Sequence, residues 1–262
     1  MVVCSFLGIR SDVIMSACLL GVLTMFIGNR SSRYAGFITR CTSGHVQNAE
    51  NILWSEVIYE AAHFPVAAPE LPLAPLPARL AGAVTSRKAD FQAGRLAAYR
   101  ALEASGAKHC HVGADEQGIP LWPAGWRGSI THSAGRALAV TAPAEAVNII
   151  GIDCEKKDLA AAAEIANTVL NPAERATLYQ TGIDYLTGVL IAFSAKESLY
   201  KALWPDVQRF FDFTAAEVCL LDSENQRIAL RLSETLSPLW RTGTIINGRF
   251  HCGEDGITTL IL

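Results

Sequence analysis

The chain has 262 residues, half of them hydrophobic, and a formal net charge of −3. There is enough apolar material for a real core in one large domain or two small ones. The weakly acidic balance excludes the global basic field of a general nucleic-acid binder. The seven cysteines form no Cys-x-x-Cys pair, an odd and unpatterned set that fits reduced thiols in a cytoplasm rather than a disulfide framework.

Val13 to Asn29 carries no charge and is rich in Leu, Met, Ile and Phe. The run is short of the roughly 20 residues a membrane helix needs. As a signal-peptide core it lacks a small-x-small cleavage site behind it. An upstream extension outside the fold is the third reading, and the segment alone leaves all three open. Residues 31–63 show no strong period apart from a possible strand at Asn51 to Tyr59. Five prolines between Pro65 and Pro77 then read as an extended connector, because proline fixes its own backbone and restricts its predecessor.

Ser86 to Ala104 reads as a helix with Phe91, Ala98 and Leu102 on a core-facing stripe. Arg87 and Arg95 are eight apart, a little over two turns. Both can reach one side, either as solvated charges or as two guanidinium forks around a phosphate. Gly94 costs about 1 kcal/mol relative to Ala inside a helix, which suits close packing or ligand approach there. His109-Cys110-His111 lacks the spaced partners of a zinc site and reads as a polar connector. Gly118 to Gly128 is rich in turn residues, Ser129 to Thr131 starts a strand, and Arg136 to Thr141 continues as another.

Ile149-Ile150-Gly151-Ile152-Asp153-Cys154-Glu155 is an apolar run that ends in two carboxylates. On a strand, side chains two apart share a face, so Asp153 and Glu155 project together and repel unless a cation or proton lies between them. Helices are expected from Leu159 to Ala166, and from Asn171 as N-cap with Pro172 at the first helical position. The long central helix spans Val189 to Leu203. Within it Ser194 reads as an N-cap with Glu197 three residues on, and Ala195, Leu199, Ala202 and Leu203 face a core. Glu197 and Lys201 stack four apart on another face. Asp153, Glu155 and Glu197 together make a reasonable site for a hard divalent ion. Strands follow in Phe211 to Ile228 and Trp240 to Leu262, with turns at Asp222-Ser223 and Asn247-Gly248. Ala98-Tyr99-Arg100-Ala101-Leu102 and Leu199-Tyr200-Lys201-Ala202-Leu203 echo each other 101 positions apart, as a pair of similar halves would.

Gly-Ile-Asp-x-Glu at 151–155, followed by Phe-Ser-Ala-Lys-Glu-Ser-x-x-Lys at 193–201, resembles the 4'-phosphopantetheinyl transferase superfamily, in particular its enterobactin synthetase component D type. Arg-x-x-x-Phe-x-x-Gly-Arg at 87–95 and Pro-x-Trp-Pro…Gly-Ser-Ile-Thr-His at 120–132 are similar to the same family. The resemblance is strong from Arg87 to Leu203, and Cys154 stands where an aliphatic residue is common. It implies an α+β fold of two pseudo-symmetric halves, each a small, mostly antiparallel sheet on a long helix, with the active site between them. The halves would be residues 41–147, binding coenzyme A, and 148–262, binding Mg and catalysing. Residues 1–40 would be an apolar extension outside the fold, since coenzyme A belongs in the cytoplasm, and membrane contact is expected only through residues 13–29.

The implied reaction moves the phosphopantetheine arm of coenzyme A to a serine of an apo acyl or peptidyl carrier protein. Mg2+ is held by Asp153, Glu155 and Glu197. Coenzyme A contacts fall on Arg87 and Arg95 (the 3'-phosphate), Gly118, Thr131, His132, Asp153, Lys196 and Lys201. Glu197, Lys196 and Lys201 are the expected catalytic groups, with Glu197 taking the serine proton directly or through a water. Another Mg-dependent phosphate enzyme, such as a phosphohydrolase, would need no carrier. A non-catalytic carrier-binding module is the other rival, against which the intact Asp153, Glu155, Glu197 and Lys201 argue.

Overall fold

The computed structural model describes residues 25–34, 36–64, 71–254 and 256–262. Their elements run β1 Phe26–Arg33, β2 Ile38–Val46, β3 Ala49–Tyr59, α1 Thr85–Ala104, β4 Gly113–Ala114, β5 Pro120–Leu121, β6 Trp126–Ser133 and β7 Arg136–Pro143, then β8 Gly151–Glu155, α2 Leu159–Val169, α3 Pro172–Tyr179, α4 Tyr185–Val207, β9 Ala216–Asp222, β10 Arg227–Leu232, β11 Ile245–Gly253 and β12 Gly256–Ile261. Two five-stranded sheets, ordered β1-β2-β3-β7-β6 and β8-β12-β11-β10-β9, are antiparallel throughout. α1 packs on β3, β7 and β6, and α4 packs on β8 and β12. This is the α+β architecture of two similar sheet-and-helix halves.

Alternation within the strands builds three cores. Val57, Tyr59, Ala137 and Ala139 meet Leu96, Ala97 and Leu102 of α1. Val189, Ile191, Leu199 and Leu203 of α4 pack with Leu230, Ile257 and Ile261 in the second half. The third core lies between the halves, where Val46, Ile52, Trp54, Leu138 and Val140 of the first sheet meet Ile150, Ile152, Cys154 and Leu260 of the second. Two guanidinium groups cross the same interface. Arg249 donates to the backbone carbonyl of Gln47 at 2.8 Å and to its Oε1 at 3.2 Å, and Arg136 donates to Thr258 Oγ1 at 3.2 Å.

The extension assigned to residues 1–40 needs correction within the described residues. β1 pairs with β2 from Phe26↔Val46 to Arg33↔Arg40. Met25 is 1% exposed in the core between the halves, and its carbonyl accepts from Gln47 N–H. The part of the Val13 to Asn29 run that precedes residue 25 lies outside the described residues. β1 reads poorly as a strand because its side chains are mostly exposed. An edge strand is recruited by backbone pairing and needs no apolar alternation of its own. Among the described residues no helix is long and apolar enough to cross a membrane.

Two further boundaries differ. α4 begins nine residues before Ser194, at Tyr185, where Asp184 Oδ2 accepts from Thr187 N–H at 2.9 Å and supplies the N-cap. Asn247-Gly248 lies inside β11, paired with Ala229-Ile228, so the hairpin turn falls after Gly253 instead. The turn expected at Asp222-Ser223 does link β9 to β10.

Met25→Ala should lower stability by about 2–5 kcal/mol, the usual cost of emptying a buried Met site. Urea unfolding checks this, and an unchanged midpoint would mean that β1 does not seal the core between the halves.

Candidate active site

α4 lies unusually close to β8. A Cβ on Gly151 would sit 2.0 Å from Ser198 O, so only glycine permits this approach. The closeness brings one helix face over Asp153, which is 3% exposed. Asp153 Oδ1 accepts from Thr131 Oγ1 of β6 at 3.0 Å and from Lys201 Nζ of α4 at 2.6 Å, while Oδ2 accepts from Ser194 Oγ at 2.8 Å. Thr131 Oγ1 also accepts from Cys154 N–H at 3.3 Å, and Ser129 Oγ accepts from Ile152 N–H at 3.1 Å. The facing edges of the two sheets are therefore joined through hydroxyls. Ser194, read as a cap, instead orients Asp153 from the middle of the helix.

Glu155 and Glu197 flank this hub, and among the described residues neither carboxylate accepts a hydrogen bond. Burial, and then the charge of Asp153, push Glu155 up to about 7, with Glu197 adding and Lys201 opposing. The same two causes raise Glu197, again opposed by Lys201. Lys201 is the cation beside three carboxylates, and it is spent on Asp153 and on Ile152 O. Among the described residues no three His, Cys, Asp or Glu side chains converge as a ready metal-ligand cluster. The donor chemistry nevertheless suits a hard divalent ion, since Glu155 and Glu197 are half-buried oxygens lacking a positive partner.

The first half carries the opposite imbalance. A cleft of about 160 Å³ is lined by Arg79, Arg87, Asp90, Phe91, Arg95 and His132, among others. Arg95 is 6% exposed, its guanidinium lies 4.9 Å from the Phe91 ring centroid, and its Nε is buried without a hydrogen-bond partner. Burial and the nearby charge of Arg79 bring it down to about 10. None of the three arginines forms an ion pair among the described residues, so together they offer uncompensated donors to an anion. Arg87 Nη1 lies 3.4 Å from His132 Nε2, and burial lowers the His132 pKa.

Arg79 escaped the sequence reading because it follows the proline-rich connector in a short 3-10 turn, with no periodicity to mark it. Its signal was Gly118. At φ +93, a Cβ there would lie 2.3 Å from Arg79 Nη2, so Gly118 makes room for a guanidinium. Gly94 likewise serves close packing, since its Cβ would meet Ile130 Cγ2 at 2.9 Å.

Gly118, Pro120 and Ile130 also line a second cleft of about 400 Å³ between the halves, closed on the other side by Tyr200, Lys201 and Trp204. Tyr200 is shared in turn with a third cleft of about 250 Å³, walled by Glu197, Phe210, Phe211 and Phe213. Three neighbouring clefts that share lining residues thus run in sequence from the arginines, by Lys201, to Glu197.

Lys196 also lines the third cleft, but its ammonium is committed within its own half, away from its expected place at a phosphate. Its ammonium is 4% exposed and donates to Val169 O at 2.7 Å and Phe213 O at 2.9 Å while pairing with Glu174 Oε1 at 2.7 Å. Glu174 in turn accepts from Asn171 N–H and Val218 N–H. All three ammonium hydrogens tie α4 to the rest of its own half. Lys196→Met should cost about 3–5 kcal/mol of stability by leaving Glu174 buried and unpaired. Thermal unfolding and coenzyme A titration of the folded protein check this: lost affinity without lost stability would return Lys196 to the ligand.

Residues 76–142 match the family described as 4'-phosphopantetheinyl transferase N-terminal domain, and residues 149–253 match the 4'-phosphopantetheinyl transferase superfamily. The chain is 41% identical over 184 residues to enterobactin synthase component D of Salmonella typhimurium, covering 70% of this chain and 75% of that one. It is 34% identical over 181 residues to the protein of the same name from Salmonella typhi, covering 69% and 74%. The 4'-phosphopantetheinyl transferase PptT of Mycobacterium tuberculosis is 36% identical over 153 residues, covering 56% and 65%. With its two sheet-and-helix halves, its carboxylate hub and its arginine cleft, the chain belongs to the 4'-phosphopantetheinyl transferase superfamily.

Proposed function

We propose that this enzyme transfers 4'-phosphopantetheine from coenzyme A to a serine of an apo acyl or peptidyl carrier protein and releases adenosine 3',5'-bisphosphate. The observation that carries the reading is the buried Arg95 without an ion pair in one cleft, set apart from Glu197 in the third cleft and the Glu155 coupled to it. A substrate with a terminal phosphate at one end and a reacting pyrophosphate further along suits that separation. Two similar proteins are named enterobactin synthase component D, which supports service in siderophore, nonribosomal peptide or polyketide synthesis. Coenzyme A and carrier proteins place the reaction in the cytoplasm.

In this reading Arg79, Arg87, Arg95 and His132 hold the 3'-phosphate. Lys201, fixed by Asp153, stands beside the pyrophosphate. Thr131 acts from behind by orienting Asp153. Glu155 and Glu197, with Asp153, would hold Mg2+, which supplies charge neutralisation on the pyrophosphate. The serine oxygen bonds to the β-phosphorus as the bond to the bisphosphate oxygen breaks, and Glu197 takes the serine proton directly or through a water.

Incubation with coenzyme A, Mg2+ and an apo carrier, followed by weighing the intact carrier, tests the reading. A mass gain of one phosphopantetheine is expected. Hydrolysis of coenzyme A without a carrier would favour a phosphohydrolase, and carrier binding without transfer would favour a docking module.

Arg79→Ala or Arg87→Ala should weaken coenzyme A binding about tenfold and leave 3'-dephospho-coenzyme A nearly unaffected. Calorimetry with both ligands checks this, and equal losses would place these arginines elsewhere on the nucleotide.

Glu155 gives a prediction of opposite signs for stability and activity. Its folded pKa of about 7 lies above the ordinary carboxylate value, so its contribution to stability is present in acid and lost as pH rises toward 7. Without added Mg2+ at pH 7.5, Glu155→Gln should therefore raise the melting temperature by about 2–4 °C while abolishing transfer. A variant that melts lower at every pH would contradict the electrostatic account.

A further inference from the structure

A carboxylate in an anion-binding cleft should weaken it, yet Asp90 lines the cleft with Arg79, Arg87 and Arg95. Among the described residues neither of its oxygens forms an ion pair with an arginine. Oδ1 accepts from Tyr59 Oη at 2.6 Å, and Oδ2 lies 3.9 Å from His132 Nδ1. That second distance is too long for a hydrogen bond and short enough for charge attraction to the protonated ring. The opposite ring nitrogen, Nε2, faces Arg87 Nη1 at 3.4 Å. Tyr59 is 4% exposed on β3, and burial with the adjacent Asp90 raises its pKa, so its hydroxyl stays a donor.

The geometry points to Asp90, anchored by Tyr59, as a positioning residue that turns the His132 ring so that Nε2 is presented to the phosphate. The inference rests on the reading of this cleft as the 3'-phosphate site. Asp90 meets the Nδ1 edge of the imidazole, opposite the Nε2 edge that faces Arg87. It supports the one member of the clamp that is not a guanidinium and leaves the three guanidiniums without an ion pair. The charged groups around the ring are Arg87 and Asp90 from α1, Lys201 from α4 and Asp153 from β8. Among them only Asp90 has an ion-pair contact with the ring. Tyr59 reaches this site from the opposite end of a strand pair, since its backbone N–H donates to Gly135 O in the turn that follows His132 and Ser133. One residue thus fixes both the turn and the carboxylate that orients the histidine.

The test compares Asp90→Ala, Tyr59→Phe, His132→Ala and the double change Asp90→Ala, His132→Ala. KM and kcat are measured with coenzyme A and 3'-dephospho-coenzyme A, and direct binding of both ligands is measured by calorimetry. Asp90→Ala is expected to raise KM for coenzyme A about five- to tenfold, with kcat and the dephospho ligand changed less than twofold. Tyr59→Phe, which keeps the ring and hence the packing, should move the same quantities in the same direction by less. The double variant should match His132→Ala, because an orienting group has no effect once the ring is gone. Tighter coenzyme A binding by Asp90→Ala would overturn the inference by showing a plain repulsive charge. Multiplying effects in the double variant, or equal losses for both ligands, would overturn it as well. The binding comparison needs no carrier protein. A wild type that discriminates the two ligands but transfers nothing contradicts the transferase reading alone, and one that binds both equally contradicts the phosphate cleft and this inference with it.

Discussion

A carboxylate removed from water survives as an anion only if its surroundings replace the lost hydration, and for Asp153 those surroundings come from both halves of the molecule. Thr131 reaches it from the first sheet; Ser194 and Lys201 reach it from α4. Thr131 fixes β6 against β8, and Ser194 and Lys201 fix α4 against it. With Gly151 allowing the helix backbone to lie against the strand, this one side chain sets how the halves meet and how far Glu197 stands from Glu155. Removing any of the three donors would leave part of a buried charge unmet, a cost that falls on the site and on the assembly of the halves together.

The two halves carry opposite electrostatic debts. Among the described residues Arg79, Arg87 and Arg95 form no ion pair, and Glu155 and Glu197 have no cation nearby apart from the committed Lys201. Each surplus could be relieved locally by a single surface substitution, but then neither would attract a ligand. Kept apart across the clefts from Phe91 to the Phe210–Phe213 wall, they fit the proposed long ligand that is anionic at one end and reacts at the other. The aromatic lining around Trp122, Tyr200 and Trp204 lowers the local dielectric, so charges at both ends act more strongly than they would in open water.

The sequence was most legible where local chemistry and tertiary placement agree. α1 and the Asn171 cap with Pro172 are written in propensity and capping, and α3 shows the full reciprocal box with Glu174. Asp153, Glu155, Glu197 and Lys201 gather where strand and helix periodicity send them. The misreadings share a cause: each residue's role depends on something far away in the chain. Ser194 is a cap by its neighbours and an Asp153 donor by the fold. Lys196 sits beside Glu197 in the motif, yet one residue turns a helix side chain by 100°, which sends it into the α3–β9 side of its own half. β1 has no period because the structure uses its backbone, and Arg79 has none because its position is set by the space that Gly118 leaves open.

β8 owes its backbone partner to β12, from Ile257↔Glu155 to Ile261↔Gly151, strands about a hundred residues apart in sequence. During synthesis at about 5–20 residues per second, β8 emerges roughly 5–20 s before the strand that completes it. Throughout that interval it is an open edge, the kind of segment that recruits foreign strands. Asp153 and Glu155 in the strand, with Lys156 and Lys157 directly after it, keep that edge charged and hydrated until β12 arrives. The carboxylates assigned above to the proposed site would thus serve first as guards against aggregation, and a variant that neutralises both should be harder to produce in soluble form than its folded stability would suggest.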